Sequence, residues 1–199
     1  FMPVATGLGK DKGIFRRTVP VFDPTACTGC LECALACPDA AIPNTVHEIH
    51  ALLLAAIDTV DAPEPQVAAL RTTAYPWAER IRQELRADPA ATSLAEVAAK
   101  AVPDTDQRSV LRYTQAVVDH LAAFPVARTR PFFDAMEKET PGTGGLFSAV
   151  IDPWKCTGCL QCVAVCGPHA LTAAEQDASL VDMLEQRFET MAALPNTPK

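Results

Sequence analysis

The sequence of 199 residues contains few positive charges and few aromatic side chains. It has 17 lysines and arginines against 24 aspartates and glutamates, which gives a formal net charge of -7 at pH 7. Because nucleic-acid-binding domains present a basic face, we expect no nucleic-acid partner. Aromatic residues make up only 6% of the chain, so aliphatic side chains and alanine should dominate the core.

Long apolar runs are also missing. The longest, Ala51 to Ile57, is far shorter than the roughly 18 residues of a spanning helix, so we predict no membrane span. No segment resembles a signal peptide, and we therefore expect reduced thiols in the cytoplasm. Because the chain begins Phe1-Met2, we expect an excised piece of a longer polypeptide, or a subunit numbered from its first ordered residue.

None of the eight cysteines lies outside two groups of four. The segment CTGCLECALAC (27–37) aligns without a gap on CTGCLQCVAVC (156–166), and residues 21–43 align on 150–172 in the same register. We call this shift, which places Cys27 on Cys156, the repeat offset. Each copy has the pattern of a short strand, a cysteine loop, one or two helical turns and a second short strand. Two copies related by a pseudo-twofold axis predict a small α+β unit, with leading strands at 18–22 and 148–151.

The spacing C-x2-C-x2-C-x3-C is typical of bacterial two-cluster ferredoxins, in which the fourth cysteine binds the other cluster. Three closely spaced thiolates can each bind a different iron of one Fe4S4 cube, while the fourth points away from its own loop. We therefore predict two [4Fe-4S] clusters and no catalytic residue. The predicted ligands are Cys27, Cys30, Cys33 and Cys166 for cluster 1, and Cys156, Cys159, Cys162 and Cys37 for cluster 2.

Disulfides, zinc sites and a [3Fe-4S] cluster are three other uses of such cysteines. Disulfides need an oxidising compartment, and zinc sites use cysteine pairs separated by a longer loop. A [3Fe-4S] cluster stays open as an alternative, although no ligand is missing. Gly29 and Gly158 occupy matching loop positions, where glycine allows a close approach and positive φ. The acidic composition predicts reduction potentials toward the low end of the range of about -700 to +450 mV.

Most of the chain between the two motifs has helical periodicity, and we predict an all-α insertion there. A further amphipathic helix is predicted from Glu175 to Leu194. The basic residues Lys10, Lys12, Arg16 and Arg17 are predicted to form a solvated loop. Helices of the insertion are predicted to begin at Thr45 (with Glu48), Ser93 (with Glu96) and Asp104 (with Gln107) by capping boxes, and at Pro76 and Pro131, the last ending at Glu139.

These patterns divide the chain into four parts. Residues 1–17 form an N-terminal connecting segment, and residues 18–43 with 146–173 form the two-cluster ferredoxin domain. Residues 44–145 form the helical insertion, and residues 174–199 form a C-terminal helix and linker. The predicted fold class is thus α+β, a pseudo-twofold bacterial-type two-cluster ferredoxin fold with a long all-α insertion.

The run GKDKGIFRRTVPVFDPTACTGCLECALACPDAAIP resembles the ferredoxin-like domain of pyruvate:ferredoxin (flavodoxin) oxidoreductases and related 2-oxoacid oxidoreductases. Lys12-Gly13-Ile14 and Val19-Pro20 match the order of that family before the first cysteine motif. Asp39 departs from it, since the family usually has histidine after Cys-Pro. The resemblance covers residues 10–43 and 148–172.

The resemblance implies that this chain relays low-potential electrons within a larger oxidoreductase. Thiamine diphosphate and Mg would be bound elsewhere in that enzyme, because this chain has no Gly-Asp-Gly thiamine motif. Other domains or subunits, and an external ferredoxin or flavodoxin, would be its partners. Two alternatives stay open: a ferredoxin-like subunit of another flavin- or molybdenum-dependent complex, and structural clusters with the insertion as an interaction module.

Overall fold

The computed structural model describes residues 16–102 and 108–195 and contains both helices and small sheets, as expected. The first half of the chain contains β1 (Thr18–Phe22), α1 (Glu32–Ala36), β2 (Asn44–His47), α2 (Ile49–Asp58), α3 (Glu64–Ala87) and α4 (Leu94–Lys100). The second half contains α5 (Arg108–Ala123), a π-helical turn (Arg130–Asp134), α6 (Ala135–Glu139), β3 (Leu146–Ala149), α7 (Gln161–Ala164), β4 (Leu171–Glu175) and α8 (Ala178–Ala193). The helix start predicted at Asp104 and the segment 1–15 lie outside the described residues.

Two antiparallel two-stranded sheets join the two copies of the repeat. The leading strand β1 pairs with β4 of the second copy, and β2 of the first copy pairs with the leading strand β3. Next to these ladders, the N–H of Asp23 donates to the carbonyl of Ala170, and the N–H of Asp152 donates to the carbonyl of Ala41, both at 2.8 Å. These two bonds correspond at the repeat offset, so the two halves meet in the same way.

Strand β2 occupies the place of a predicted helix start. Helix α2 begins only at Ile49, and its N-cap residue Glu48 makes no side-chain cap. The hydroxyl of Thr45 contacts Nε2 of His47 at 2.6 Å instead of capping a helix. The prediction of a capping box at Thr45 was wrong because pairing with β3 satisfies the backbone of this segment. Residues 44–47, assigned to the helical insertion, therefore lie in a sheet.

Helix α3 begins earlier than predicted and contains Pro76 in its interior. A proline inside a helix costs about 3 kcal/mol, so the sequence favoured a start at that residue. The residues before it are apolar on the same helical face as those after it, and both sets are buried. Burial of this continuous apolar face offsets the free-energy cost of the proline. The buried apolar residues of α3 are Val67, Leu70, Ala74, Trp77, Ala78, Ile81 and Leu85.

The other helix starts follow local capping more closely. Ser93 caps α4, since its hydroxyl accepts from the N–H of Glu96 at 3.3 Å, as predicted. Helix α8 starts after the predicted Glu175, because that residue ends β4 and Asp177 provides the cap. The helix predicted from Pro131 is present as the π-helical turn followed by α6, and it ends at Glu139 as expected.

The buried apolar residues form two cores. The larger core is built by α2, α3, α4 and α5 around Trp77, whose indole N–H donates to the carbonyl of Ala98 at 3.0 Å. The smaller core contains residues of β1, β3, β4 and α8 together with three buried cysteines, Cys156, Cys162 and Cys166. The cysteine motifs are thus packed into a core that is separate from that of the helices. Among the described helices, none has both the length and the apolar character needed to cross a bilayer.

A buried histidine at the end of β2 predicts that stability falls in acid. His47 is 2% exposed, and burial lowers its pKa from 6.5 to about 4. Between these two values the unfolded chain binds a proton that the folded chain does not, so the free energy of unfolding should fall as pH falls from 6.5 toward 4. Urea unfolding at successive pH values measures this slope. His47→Gln should flatten it and exposed His120→Gln should keep it; equal slopes in the wild type and His47→Gln would contradict the prediction.

Candidate metal centres

The two cysteine loops have matching backbone conformations. Each follows the leading strand of its copy and runs into a short helix, α1 or α7. Three matching pairs of residues have positive φ: Gly29 (73°) and Gly158 (71°), Leu31 (65°) and Leu160 (57°), and Ala40 (49°) and His169 (57°). Residues other than glycine rarely adopt such φ values, and backbone strain of this kind clusters at ligand-binding sites. Only the two glycines were singled out in the sequence, because positive φ at leucine, alanine or histidine has no sequence signal.

The eight cysteines line two cavities, four in each. The cysteines of the first are Cys27, Cys30, Cys33 and Cys166. The cysteines of the second are Cys156, Cys159, Cys162 and Cys37. We call these the first and second cradles. In each cradle, three cysteines come from one motif and the fourth from the other, which is the grouping that the spacing predicts.

Burial makes the cradles poor places for thiolates that have no cation beside them. Burial, together with repulsion from neighbouring thiols that include Cys166 of the same cradle, raises the pKa of Cys33 to about 11. Burial likewise raises the pKa of Cys162 to about 12, with added repulsion from Cys156 and Cys37. The thiols of Cys33 and Cys162 would therefore be protonated at neutral pH, and binding of iron would displace their protons.

The backbone turns N–H groups toward the cysteine sulfurs. The N–H of Gly29 lies 3.4 Å from Sγ of Cys27, and the N–H of Ala41 lies 3.2 Å from Sγ of Cys37. Such donors stabilise negative charge on sulfur and tune the potential of an iron-sulfur cluster. Cys30 and Cys159, which match at the repeat offset, are the two exposed cysteines, and each marks the solvent side of its cradle.

The cysteines of the described residues do not converge on a single metal ion. Zinc binds thiolates at about 2.3 Å, which places the sulfurs of a tetrahedral site about 4 Å apart. Within residues 16–102 and 108–195, no three His, Cys, Asp or Glu side chains converge closely enough to hold a single ion. A group with several irons, in which each thiolate binds a different iron, fits the four-cysteine cradles better.

Two polar features of the second cradle were missed from the sequence. Arg16, predicted to be solvated, is only 7% exposed, and its guanidinium donates to the carbonyl of Cys156 at 2.8 Å. The hydroxyl of Thr157 donates to the carboxylate of Asp39 at 2.8 Å, which ties the loop of one motif to the segment after the other. Neither contact could be found from sequence, because each joins residues more than one hundred positions apart.

A methyl group at Gly158 should disrupt the second cradle. The Cβ of alanine there would lie 2.5 Å from the carbonyl oxygen of Thr18, and φ is 71°. Gly158→Ala should lower the free energy of unfolding by about 1–3 kcal/mol and leave about four irons per reconstituted chain. Gly167→Ala is the matched control, since nothing lies within 4 Å of its Cβ position. Chemical iron analysis and urea unfolding measure both effects. Equal iron content and stability in the two variants would refute the prediction.

Comparison with known proteins agrees with the chemistry of the first motif. Residues 19–42 match the family model of a 4Fe-4S binding domain. No curated protein and no solved structure matches the chain. The match covers the strand, loop and helical turn that carry Cys27, Cys30, Cys33 and Cys37. The chain therefore contains an iron-sulfur ferredoxin-like domain, and such a domain is suited to electron transfer.

Proposed function

We propose that the chain binds two [4Fe-4S] clusters and relays single electrons between other redox centres. The observation that carries this proposal is the sorting of all eight cysteines into two cradles of four, each completed by one cysteine from the other motif. Cluster 1 is held by Cys27, Cys30, Cys33 and Cys166. Cluster 2 is held by Cys156, Cys159, Cys162 and Cys37.

In this function the protein holds the clusters, shields them from solvent and tunes their reduction potentials. When bound, a [4Fe-4S] cluster supplies a centre that takes up and gives back one electron. The buried thiols lose their protons to become ligands, and nearby N–H groups stabilise the negative charge on sulfur. Helices α1 and α7 pack against each other, so the elements that carry Cys33 and Cys162, the third cysteine of each motif, are in contact.

The fold we propose for residues 18–43 and 146–173 is a pseudo-twofold two-cluster ferredoxin fold. It is supported by the pairing of β1 with β4 and of β2 with β3, which exchanges strands between the two copies. The helical insertion between them then starts after β2 and ends before β3. Residues 1–17 and 174–199 would connect this domain to the rest of the enzyme.

We further propose, on the resemblance alone, that the relay serves a pyruvate or other 2-oxoacid:ferredoxin (flavodoxin) oxidoreductase. Its electrons would come from a thiamine diphosphate and Mg site in other domains or subunits and leave to an external ferredoxin or flavodoxin. The cytoplasm is the compartment that fits eight reduced thiols. A subunit of a flavin or molybdenum enzyme would use the same two clusters, and the sequences that flank residues 1 and 199 would distinguish the two.

A potentiometric titration followed by electron paramagnetic resonance tests the electron-transfer function. Reduction of the reconstituted protein by dithionite should give signals from two reduced clusters. Their midpoint potentials should lie below zero on the scale of the standard hydrogen electrode. The acidic composition is the reason for expecting low potentials. Clusters that stay silent at low potential would instead support a structural role with the insertion as an interaction module, and midpoints above zero would refute the low-potential relay.

A further inference from the structure

The two cradles differ in charge although their backbones match. Arg16 lies against the second cradle, with its side chain 7% exposed. Its guanidinium donates to the carbonyls of Pro153 and Cys156 and to the side-chain oxygen of Gln176. All three of these acceptors are neutral, so the bonds orient the positive charge without neutralising it.

The first cradle has an uncharged environment at the corresponding places. The residue that matches Arg16 at the repeat offset is Gly145, which has no side chain. The loop glycine of the first cradle, Gly29, faces the ring of Phe132 and the hydroxyl of Thr129. The loop glycine of the second cradle, Gly158, faces the β-carbon of Arg16 and the backbone of Thr18. The pseudo-twofold symmetry is therefore broken by one buried cation.

The cradles also differ in how deeply their cysteines are buried. The cradle with the more deeply buried cysteines is the one that has the cation. Each cradle takes three cysteines from its own loop. Among these, Cys156 and Cys162 of the second cradle are buried, whereas Cys27 and Cys33 of the first cradle are only half-buried. Reduction adds one negative charge to a cluster, and burial without compensating charge makes that addition less favourable. The second cradle would on this ground hold the harder cluster to reduce.

We propose that Arg16 tunes the electron relay by selectively raising the reduction potential of cluster 2. This rests on the proposed function, namely that both cradles hold clusters. If cluster 2 takes one electron from reduced cluster 1, the buried guanidinium would stabilise the negative charge added to cluster 2. Its charge thereby offsets the deeper burial of the second cradle. The reduction potential of cluster 2 then lies less far below that of cluster 1.

Two carboxylates near the second cradle act in the opposite direction. Asp39 lines the cavity, is half-buried and accepts from Thr157. Asp152 is buried, but the ammonium of Lys155 lies 3.3 Å from its carboxylate. Among the described residues, Arg16 is thus the cation beside the second cradle that has no carboxylate paired with it. Asp39→Asn should accordingly raise the potential of cluster 2, opposite in sign to the loss of Arg16.

The test compares three variants by potentiometric titration with electron paramagnetic resonance on reconstituted protein. Arg16→Gln removes the buried charge, Arg16→Lys keeps a charge, and Arg17→Gln removes the charge of the exposed neighbour. Arg16→Gln should lower the equilibrium constant for electron transfer from cluster 1 to cluster 2 about tenfold, equivalent to about 59 mV for one electron. Spectra of Cys30→Ser and Cys159→Ser assign each signal to its cluster, since each changes one exposed ligand.

The expected result is a lower midpoint for cluster 2 in Arg16→Gln, an unchanged midpoint for cluster 1, and midpoints near the wild type in Arg16→Lys and Arg17→Gln. Equal shifts of both clusters, no shift, a shift in Arg16→Lys as large as in Arg16→Gln, or loss of cluster 2 from Arg16→Gln would overturn the tuning role. Failure of the proposed function looks different, because the wild type itself would then lack two reducible clusters.

Discussion

Replacing Cys27 and Cys166 together with alanine should leave one intact [4Fe-4S] cluster and about four irons per chain, although the two substitutions fall in different motifs. Both cysteines line the first cradle. The second cradle keeps all four of its cysteines in this variant, so its cluster should assemble as in the wild type. Iron and sulfide analysis after anaerobic reconstitution measures the outcome.

The matched control removes two cysteines of the same motif. Cys27→Ala with Cys37→Ala takes one ligand from each cradle, so both clusters should be damaged and little cubane iron should remain. If each motif instead held its own cluster, the pattern would reverse: the same-motif double variant would keep about four irons, and the cross-motif variant would keep almost none. The two double variants therefore separate the crossed ligand scheme from the uncrossed one without any structural method.

Replacing Glu137 with glutamine should destabilise the chain by about 3–5 kcal/mol, the typical cost of removing one partner of a buried ion pair. Its carboxylate is buried, and Oε1 lies 2.6 Å from the guanidinium of Arg82, which is buried as well. The carboxylate also accepts from the N–H groups of Gly142 and Gly144. An amide in its place would leave the charge of Arg82 with only the partly exposed carboxylate of Glu79, 3.5 Å away, and would turn a donor toward backbone donors.

The effect should be confined to the buried carboxylate. Glu139→Gln changes an exposed residue of the same helix and should alter the free energy of unfolding by less than about 0.5 kcal/mol. Urea unfolding of the two variants gives the comparison, and equal stability would contradict the role assigned to the pair. Burial alone would raise the pKa of Glu137, but the glycine N–H groups and Arg82 lower it below 4.5, so this contribution is present near neutrality and lost as pH falls below that value.

The pair matters for the site because of where it lies. Glu137 holds residues 142–144, which lead directly into β3 and the second cysteine loop, while Arg82 lies on the longest helix of the described chain. The insertion is therefore fixed to the segment that carries the second motif. No sequence pattern connects positions 82 and 137, so this contact could be found only in the folded chain.

The cysteine positions and most of the elements around them were predictable, since they rest on local patterns. The motif spacing predicted that Cys37 lies beside the second motif, because the fourth cysteine of such a motif points away from its own loop. Ser93 could be recognised as a cap because the bond to Glu96 joins residues three positions apart. The short apolar segment before the first cysteine loop placed β1, and the 3.6-residue period placed the faces of α2 and α3.

The errors arose where distant residues overruled local preference. Thr45 has the pattern of a helix cap, yet the partner strand β3 lies far along the chain and converts the segment to a strand. Pro76 has the pattern of a helix start, yet burial of the face on both sides of it extends the helix in both directions. Arg16 has the pattern of a solvated basic residue, yet its three acceptors all lie in the second half of the chain.

The central claim is that the chain holds two [4Fe-4S] clusters, and chemical analysis of the purified, anaerobically reconstituted wild-type protein tests it most directly. We predict about eight irons and about eight acid-labile sulfides per chain, with two paramagnetic centres after reduction by dithionite. About four irons with one centre, or thiolate-bound metal without sulfide, would contradict the account.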